Sequence, residues 1–210
     1  VVSSTILIVS YVILFTEKLN RAVVALIGAG VMIMCGVLTQ AQAIKGIDFN
    51  TLALLIGMMI VVGVSEKSGM FQYVAIWGAQ QVKASPRGMM MVLAIVTAFF
   101  SALLDNVTTV LLLVPVTFQM TKKLKVNPYP YLILEIFASN IGGTATLIGD
   151  PPNILLGSAL NLSFMDFVRE LTPIVVLTMI ALIAVFDFAY GRHMKTNKKC
   201  RAEVMRINKN

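Results

Sequence analysis

Apolar residues run almost unbroken through positions 89–120 and 129–162, and each run is interrupted once, near its middle, by residues that a regular helix carries poorly. Run 89–120 is broken by Asp105-Asn106-Val107-Thr108-Thr109. Run 129–162 is broken by residues 142–153, a stretch holding Gly142, Gly143, Gly149, Pro151 and Pro152. Both runs exceed the ~20 residues that cross ~30 Å of hydrocarbon as a single helix. Further apolar stretches cover 22–38, 51–64 and 171–190. With 58% hydrophobic and 13% charged residues and a mean hydropathy of +0.85, the chain reads as an all-α polytopic membrane protein. The helices of a soluble core would keep a polar face, which these segments mostly lack. The lipid bilayer is therefore the expected principal partner.

The net charge of +7 is unevenly placed. Residues 191–210 hold seven Lys/Arg against the single acid Glu203, which the positive-inside rule reads as a cytoplasmic tail or linker, with no nucleic-acid partner implied. Cys35 and Cys200 form no CxxC or Cys/His cluster, so neither a disulfide framework nor a metal site is expected. The first apolar segment has no initiator Met and no basic leader. It is read as the inside of a longer protein rather than as a signal peptide.

Both flanks of the first broken run are basic, with Lys83 and Arg87 before it and Lys122, Lys123 and Lys125 after it. Each arm of about 16 residues reaches only ~24 Å, short of a full crossing. A re-entrant hairpin with its tip at 105–109 and both ends on the cytoplasmic side satisfies these constraints. The second run reads as a discontinuous helix, since irregular backbone survives at membrane depth only where protein or a wet cavity covers it. Elsewhere the sequence predicts a helix cap at Thr51, a loop over 40–50 and a turn at 66–69. The organisation expected is scaffold helices over 1–82, a transport-type region over 83–168, a returning helix over 169–190 and the basic tail.

Two helix breaks at one depth can build a small binding site from backbone ends and few charges. The candidate ion- or substrate-binding residues are Asp105, Asn106, Thr108 and Thr109 at the first break. At the second they are Asn140, Gly142, Gly143, Thr144, Thr146, Gly149, Asp150, Pro151, Pro152 and Asn153. Asp105 most needs an explanation, because an aspartate at the bilayer centre costs about 2.5–3.5 kcal/mol on insertion scales. It could bind Na+, carry a proton or cap the following helix. Asp150 could cap a helix opened by Pro151 or bind an ion. No cofactor is expected beyond a coupling ion, H+ or Na+, with a possible Na+ near Asp105 and Asn106. Glu135 and Asp187 also lie in apolar runs, and Asp187 is read as snorkelling or pairing with Arg192.

The stretches SALLDNVTTVLLLVP (101–115) and ASNIGGTATLIGDPPN (138–153), with LSFMDF (162–167) after them, resemble the ion transporter superfamily. The nearest branch is the arsenite permease and P-protein group with its citrate-transporter-like domain. The resemblance implies an elevator-type transporter of two inverted repeats, of which this chain matches the first, so a second repeat is missing. It also implies a homodimer in the cell membrane and a small inorganic or organic anion as substrate, arsenite-like in the named branch, coupled to H+ or Na+. In the dicarboxylate branch the hairpin tip resembles Ser-Asn-Thr. Here Asp105 stands for the serine and Val107 intervenes before Thr108, which turns the expectation toward ion coupling through Asp105. The alternatives are a Na+/H+ antiporter and a non-transporting structural subunit. An intramembrane aspartyl protease is disfavoured because Leu147-Ile148-Gly149-Asp150 lacks the Gly-x-Gly-Asp spacing of such enzymes.

Overall fold

The computed structural model describes residues 2–16, 18–194 and 196–206, and among these every regular element is helical. The chain forms two compact units, residues 1–49 and 50–210. The first holds α1 (Val2–Phe15), α2 (Arg21–Met34) and the short α3 (Gln40–Lys45). α1 and α2 pack on each other through Gly28, where an added Cβ would meet the Ser10 hydroxyl at 2.8 Å. The expected loop over 40–50 contains α3, because Thr39 and Gln42 form a reciprocal capping box that satisfies the first turn.

The second unit holds α4 (Phe49–Lys67), α5 (Met70–Gln81), α6 (Pro86–Ser101), α7 (Asn106–Leu124), α8 (Tyr129–Gly143), α9 (Pro151–Leu160), α10 (Phe164–Ala189) and α11 (Lys198–Met205). α4 opens at Phe49, two residues before Thr51, which sits buried inside the first turn instead of capping it. α4 and α10 are long and apolar enough to cross a bilayer by length and composition. At 1.5 Å per residue they reach ~28 Å and ~39 Å.

The core lies where α6, α7 and α8 meet. In α6 the buried positions Met89, Met90, Leu93, Ala94, Thr97, Phe100 and Ser101 follow a helical period, so one stripe faces inward. Leu113, Val116 and Met120 of α7, Tyr131, Leu134 and Ala138 of α8 and Met179 and Phe186 of α10 close against it. The outward faces stay apolar: Phe99, Leu111, Phe137, Leu177 and Val185 are all exposed, as a lipid-facing surface requires.

One end of this bundle gathers both termini of the first broken run. The Tyr131 hydroxyl donates to the carbonyl of Pro86, at the start of α6, over 3.0 Å. The Thr196 hydroxyl donates to the carbonyl of Leu124, at the end of α7, over 2.7 Å. Asp187, near the end of α10, holds Arg87 in a two-pronged ion pair. The expected pairing of Asp187 with Arg192 is therefore replaced by one with Arg87, while the Arg192 guanidinium lies 5.1 Å over the Phe188 ring. Part of the basic tail also folds back: α11 packs on α7, with Val204 fully buried.

Candidate functional site

α6 ends because residues 102–104 turn away and Asp105 adopts an extended conformation, φ −68° and ψ 148°, as the N-cap of α7. Its carboxylate accepts the backbone N–H of Thr108 at 3.0 Å, and its carbonyl accepts both the N–H of Thr109 at 3.1 Å and the Thr109 hydroxyl at 3.0 Å. The Asn106 side-chain oxygen takes the N–H of Val107 at 2.9 Å. The first turn of α7 is thus satisfied by its own residues, which leaves few backbone donors for an anion.

The second break spans 144–150, between α8 and α9. Asp150 occupies the N-cap position of α9 and makes no side-chain capping bond. Pro151 and Pro152 take the first helical positions and carry no N–H to cap. Asn153 ties the irregular stretch together, its side-chain amide donating to the carbonyls of Thr146 at 2.9 Å and Thr144 at 3.4 Å. The Thr144 hydroxyl donates to the Ile141 carbonyl at 2.7 Å.

The tertiary structure brings the two breaks together. The Asn106 amide donates to the Asn140 side-chain oxygen at 3.1 Å, across 34 positions of sequence, and Asn140 in turn donates to the Ile136 carbonyl at 2.8 Å. The Thr146 hydroxyl donates to the Ala102 carbonyl and accepts the N–H of Gly149 at 3.1 Å. The Ser101 hydroxyl donates to the Ser139 carbonyl at 2.6 Å. The glycines permit this closeness: a Cβ on Gly142 would overlap the backbone of Ala98, and one on Gly149 would lie 2.6 Å from the Ser101 carbonyl oxygen. A Cβ on Gly143 would lie 3.0 Å from the Gly149 carbonyl oxygen.

The candidate residues therefore separate by exposure. Thr109 and Thr146 are buried and spend their hydroxyls on backbone carbonyls, as stitches of the break. Asp105, Asn106, Thr108, Asn140, Thr144, Asp150 and Asn153 keep part of their surface open. Asp105 and Thr108 line a cavity of about 290 Å³ with Pro151, Ile148 and the carboxylate residue Glu66. Asn106 and Asn140 line a second cleft with Ser139 on the far side of α7. Two acidic side chains, Asp105 half-buried and Glu66 exposed, border one small cavity, a setting that suits a cation better than a bare anion.

Glu66, which the sequence places in the turn at 66–69, is a cavity-lining acid that sequence reasoning does not single out. It lies in the last turn of α4, and the helical spacing Leu55, Met59, Val62, Glu66 carries the signal, for all four line that cavity. Ser101 and Ser139 are small polar residues in apolar runs, and their bond depends on a partner helix that the sequence does not show.

Comparison with known proteins follows the same lines. The citrate transporter family model matches residues 11–206. An uncharacterised transporter of Mycobacterium bovis is 47% identical over 195 residues, covering 91% of this chain and 46% of the relative. The 46 kDa membrane protein of Mycobacterium leprae is 40% identical over 212 residues, covering 99% of the chain and 49% of the relative. The human P protein is 32% identical over 208 residues, covering 94% of the chain and 25% of the relative. The chain spans about half the length of the mycobacterial relatives it matches. Because the family model takes in both helix breaks and the helices that hold them, the chain belongs to the citrate transporter family.

Proposed function

We propose that this chain is the first repeat of a secondary active transporter in the plasma membrane, moving a small anion in exchange for, or together with, H+ or Na+. The observation that carries the reading is the Asn106–Asn140 hydrogen bond, which joins the tip of the α6–α7 hairpin to the helix that leads into the second break. In this reading α6 and α7 form a re-entrant hairpin, and the second break is the unwound part of a membrane helix. A second inverted repeat completes the site, and the protein works by an elevator motion within a homodimer. The substrate is a metalloid oxyanion of the arsenite type or, as the family description adds, a citrate-type carboxylate. The neutral amides and hydroxyls of Asn106, Thr108, Asn140, Thr144 and Asn153 suit either, and Gly142, Gly143, Gly149, Pro151 and Pro152 shape the backbone around it. The coupling ion sits by Asp105.

Uptake of citrate and of arsenite into proteoliposomes holding the full-length protein tests the reading. Asn140→Ala is expected to lower kcat/KM by about tenfold, equivalent to ~1.4 kcal/mol, a magnitude fitting for one lost polar contact to substrate. Unchanged kinetics would remove Asn140 from the site. Na+/H+ antiport is the second reading, favoured by Glu66 and Asp105 on one cavity. It predicts cation exchange from the same vesicles with neither anion present.

The hairpin has a separate test. Cysteines introduced next to Arg87 and next to Lys123 are expected to react with an impermeant maleimide from the same, cytoplasmic face, in keeping with the hydrogen bonds that hold Pro86 and Leu124 at one end of the bundle. Labelling from opposite faces would convert residues 89–120 into a crossing and exclude the re-entrant arrangement.

A further inference from the structure

Away from both breaks, the core of the α6–α7–α8 bundle contains a carboxyl group that the site does not use. Glu135 lies midway along α8 and is 1% exposed. The Thr117 hydroxyl of α7 donates to its Oε1, and its Oε2 is buried with no hydrogen-bond partner among the described residues. A bare carboxylate in that position would cost several kcal/mol unless a proton or cation neutralises it.

No fixed charge among the described residues does so. α8 packs against α6, α7 and α10. α6 carries Arg87, which is bonded to Asp187 of α10 at the end of the bundle. α7 carries Asp105, which caps its own helix, and Lys122 and Lys123 in its last turn, one exposed and one partly so. α10 carries Asp166, Arg169 and Glu170 in its first two turns. On α8 itself Tyr131 is one turn from Glu135, and its hydroxyl donates to the Pro86 carbonyl. None of these groups makes an ion pair with Glu135.

The faces that meet at Glu135 carry hydroxyls at helical spacing. Thr117 and Thr121 lie four residues apart on α7, Thr97 and Ser101 on α6, and Ser139 one turn above Glu135 on α8; all five are buried. The stripe leads from Thr121, near the end of the bundle that holds Leu124 and Pro86, past Glu135 to Ser139, whose carbonyl accepts the Ser101 hydroxyl at the first break. Glu135 therefore sits one helical turn from the substrate-side network, on a polar line through an otherwise apolar core.

We propose that Glu135 is a proton-carrying residue of the transport cycle. A proton binds at Oε2 when the bundle opens its polar stripe to one side and leaves from Oε2 to the other, one proton per cycle, with no other bond made or broken. The Thr117 hydroxyl holds Oε1 and so positions the carboxyl, and Asp105 by the cavity is left to a second coupling ion. The inference rests on the transport reading above.

The test uses the full-length protein in proteoliposomes, with citrate and arsenite uptake measured under an imposed pH gradient and proton movement followed with an internal pH dye. A one-unit gradient can sustain about tenfold accumulation per coupled proton, because one pH unit is worth ~1.4 kcal/mol. Glu135→Gln is expected to abolish that accumulation and the accompanying proton flux, and to flatten the pH profile of whatever flux remains. Ile133→Ala, an exposed position on the same helix, is expected to leave the profile in place. Gradient-driven accumulation that persists in Glu135→Gln would overturn the proposal. Should Glu135→Gln fail to fold, Thr117→Val decides: a displaced pH profile supports the assignment and an unmoved one refutes it. Infrared difference spectra after a pH jump give a readout that needs no transport. A protonated-carboxyl band that disappears in Glu135→Gln supports proton binding there even if neither anion is carried, and an identical band in the variant rejects it.

Discussion

Gly142→Ala should unfold or severely destabilise the second unit, even though alanine is the better helix former. Intrinsic propensity favours alanine in a helix interior by about 0.8–1.0 kcal/mol. At this position the added methyl would overlap the carbonyl oxygen, Cα and carbonyl carbon of Ala98, all backbone atoms of α6 that no rotamer change can move. Overpacking of this kind costs ~1–3 kcal/mol or more, so the clash sets the sign. Gly157→Ala provides the contrast. Its methyl would meet the ends of the Leu147 and Phe167 side chains, which can shift, and the effect should stay within about 1 kcal/mol. Thermal unfolding of the purified full-length variants measures both. A Gly142→Ala melting point equal to that of the unmodified protein would mean that α6 and α8 do not approach as closely as described.

Asp105→Asn should separate the two roles that one side chain fills. Asparagine caps a helix about as well as aspartate, so the bond to the Thr108 N–H can survive and stability should change by less than ~0.5 kcal/mol. The charge, however, is gone from the cavity shared with Glu66. Ion-coupled flux should then fall by about tenfold or more, the loss of a charged ligand being worth upwards of ~1.4 kcal/mol. Asp105→Ala removes cap and charge together, and should lower stability by about 1 kcal/mol as well as flux. If the asparagine variant keeps its Na+ dependence while the alanine variant melts early, Asp105 is a helix cap and the cation lies elsewhere on that cavity, with Glu66 the first place to look.

Capping illustrates how local chemistry was legible beforehand. The hydrogen-bond reach of an Asp, Ser or Thr side chain spans only two or three residues, so a cap at the start of α7 stands among the roles the sequence offers Asp105, beside ion and proton binding. Prolines 151 and 152 likewise marked the first turn of α9. Thr51 misled for the same reason in reverse, since burial in the first turn of α4 outweighed its capping propensity. Sequence proximity points Asp187 to Arg192, five positions away, whereas its partner is Arg87, 100 positions away in sequence and adjacent in space.

The sequence by itself determined the solvent, the long apolar helices and the two places where helices break, but not α3 or α11, because apolar run length, proline, glycine and charge act over a few residues or through composition. Tertiary structure alone decided that these breaks meet: the Asn106–Asn140 bond, the stitch from Thr146 to Ala102 and the contact of Gly142 with Ala98 join segments 34 to 44 positions apart. It also decided that Glu66 faces the cavity of Asp105 and that Glu135 is enclosed with one oxygen unpaired. A carboxyl in an apolar run reads the same in sequence whether it faces lipid, a partner or a cavity. Only the packing of neighbouring helices sets its dielectric and its hydrogen bonds, and with them what it can do.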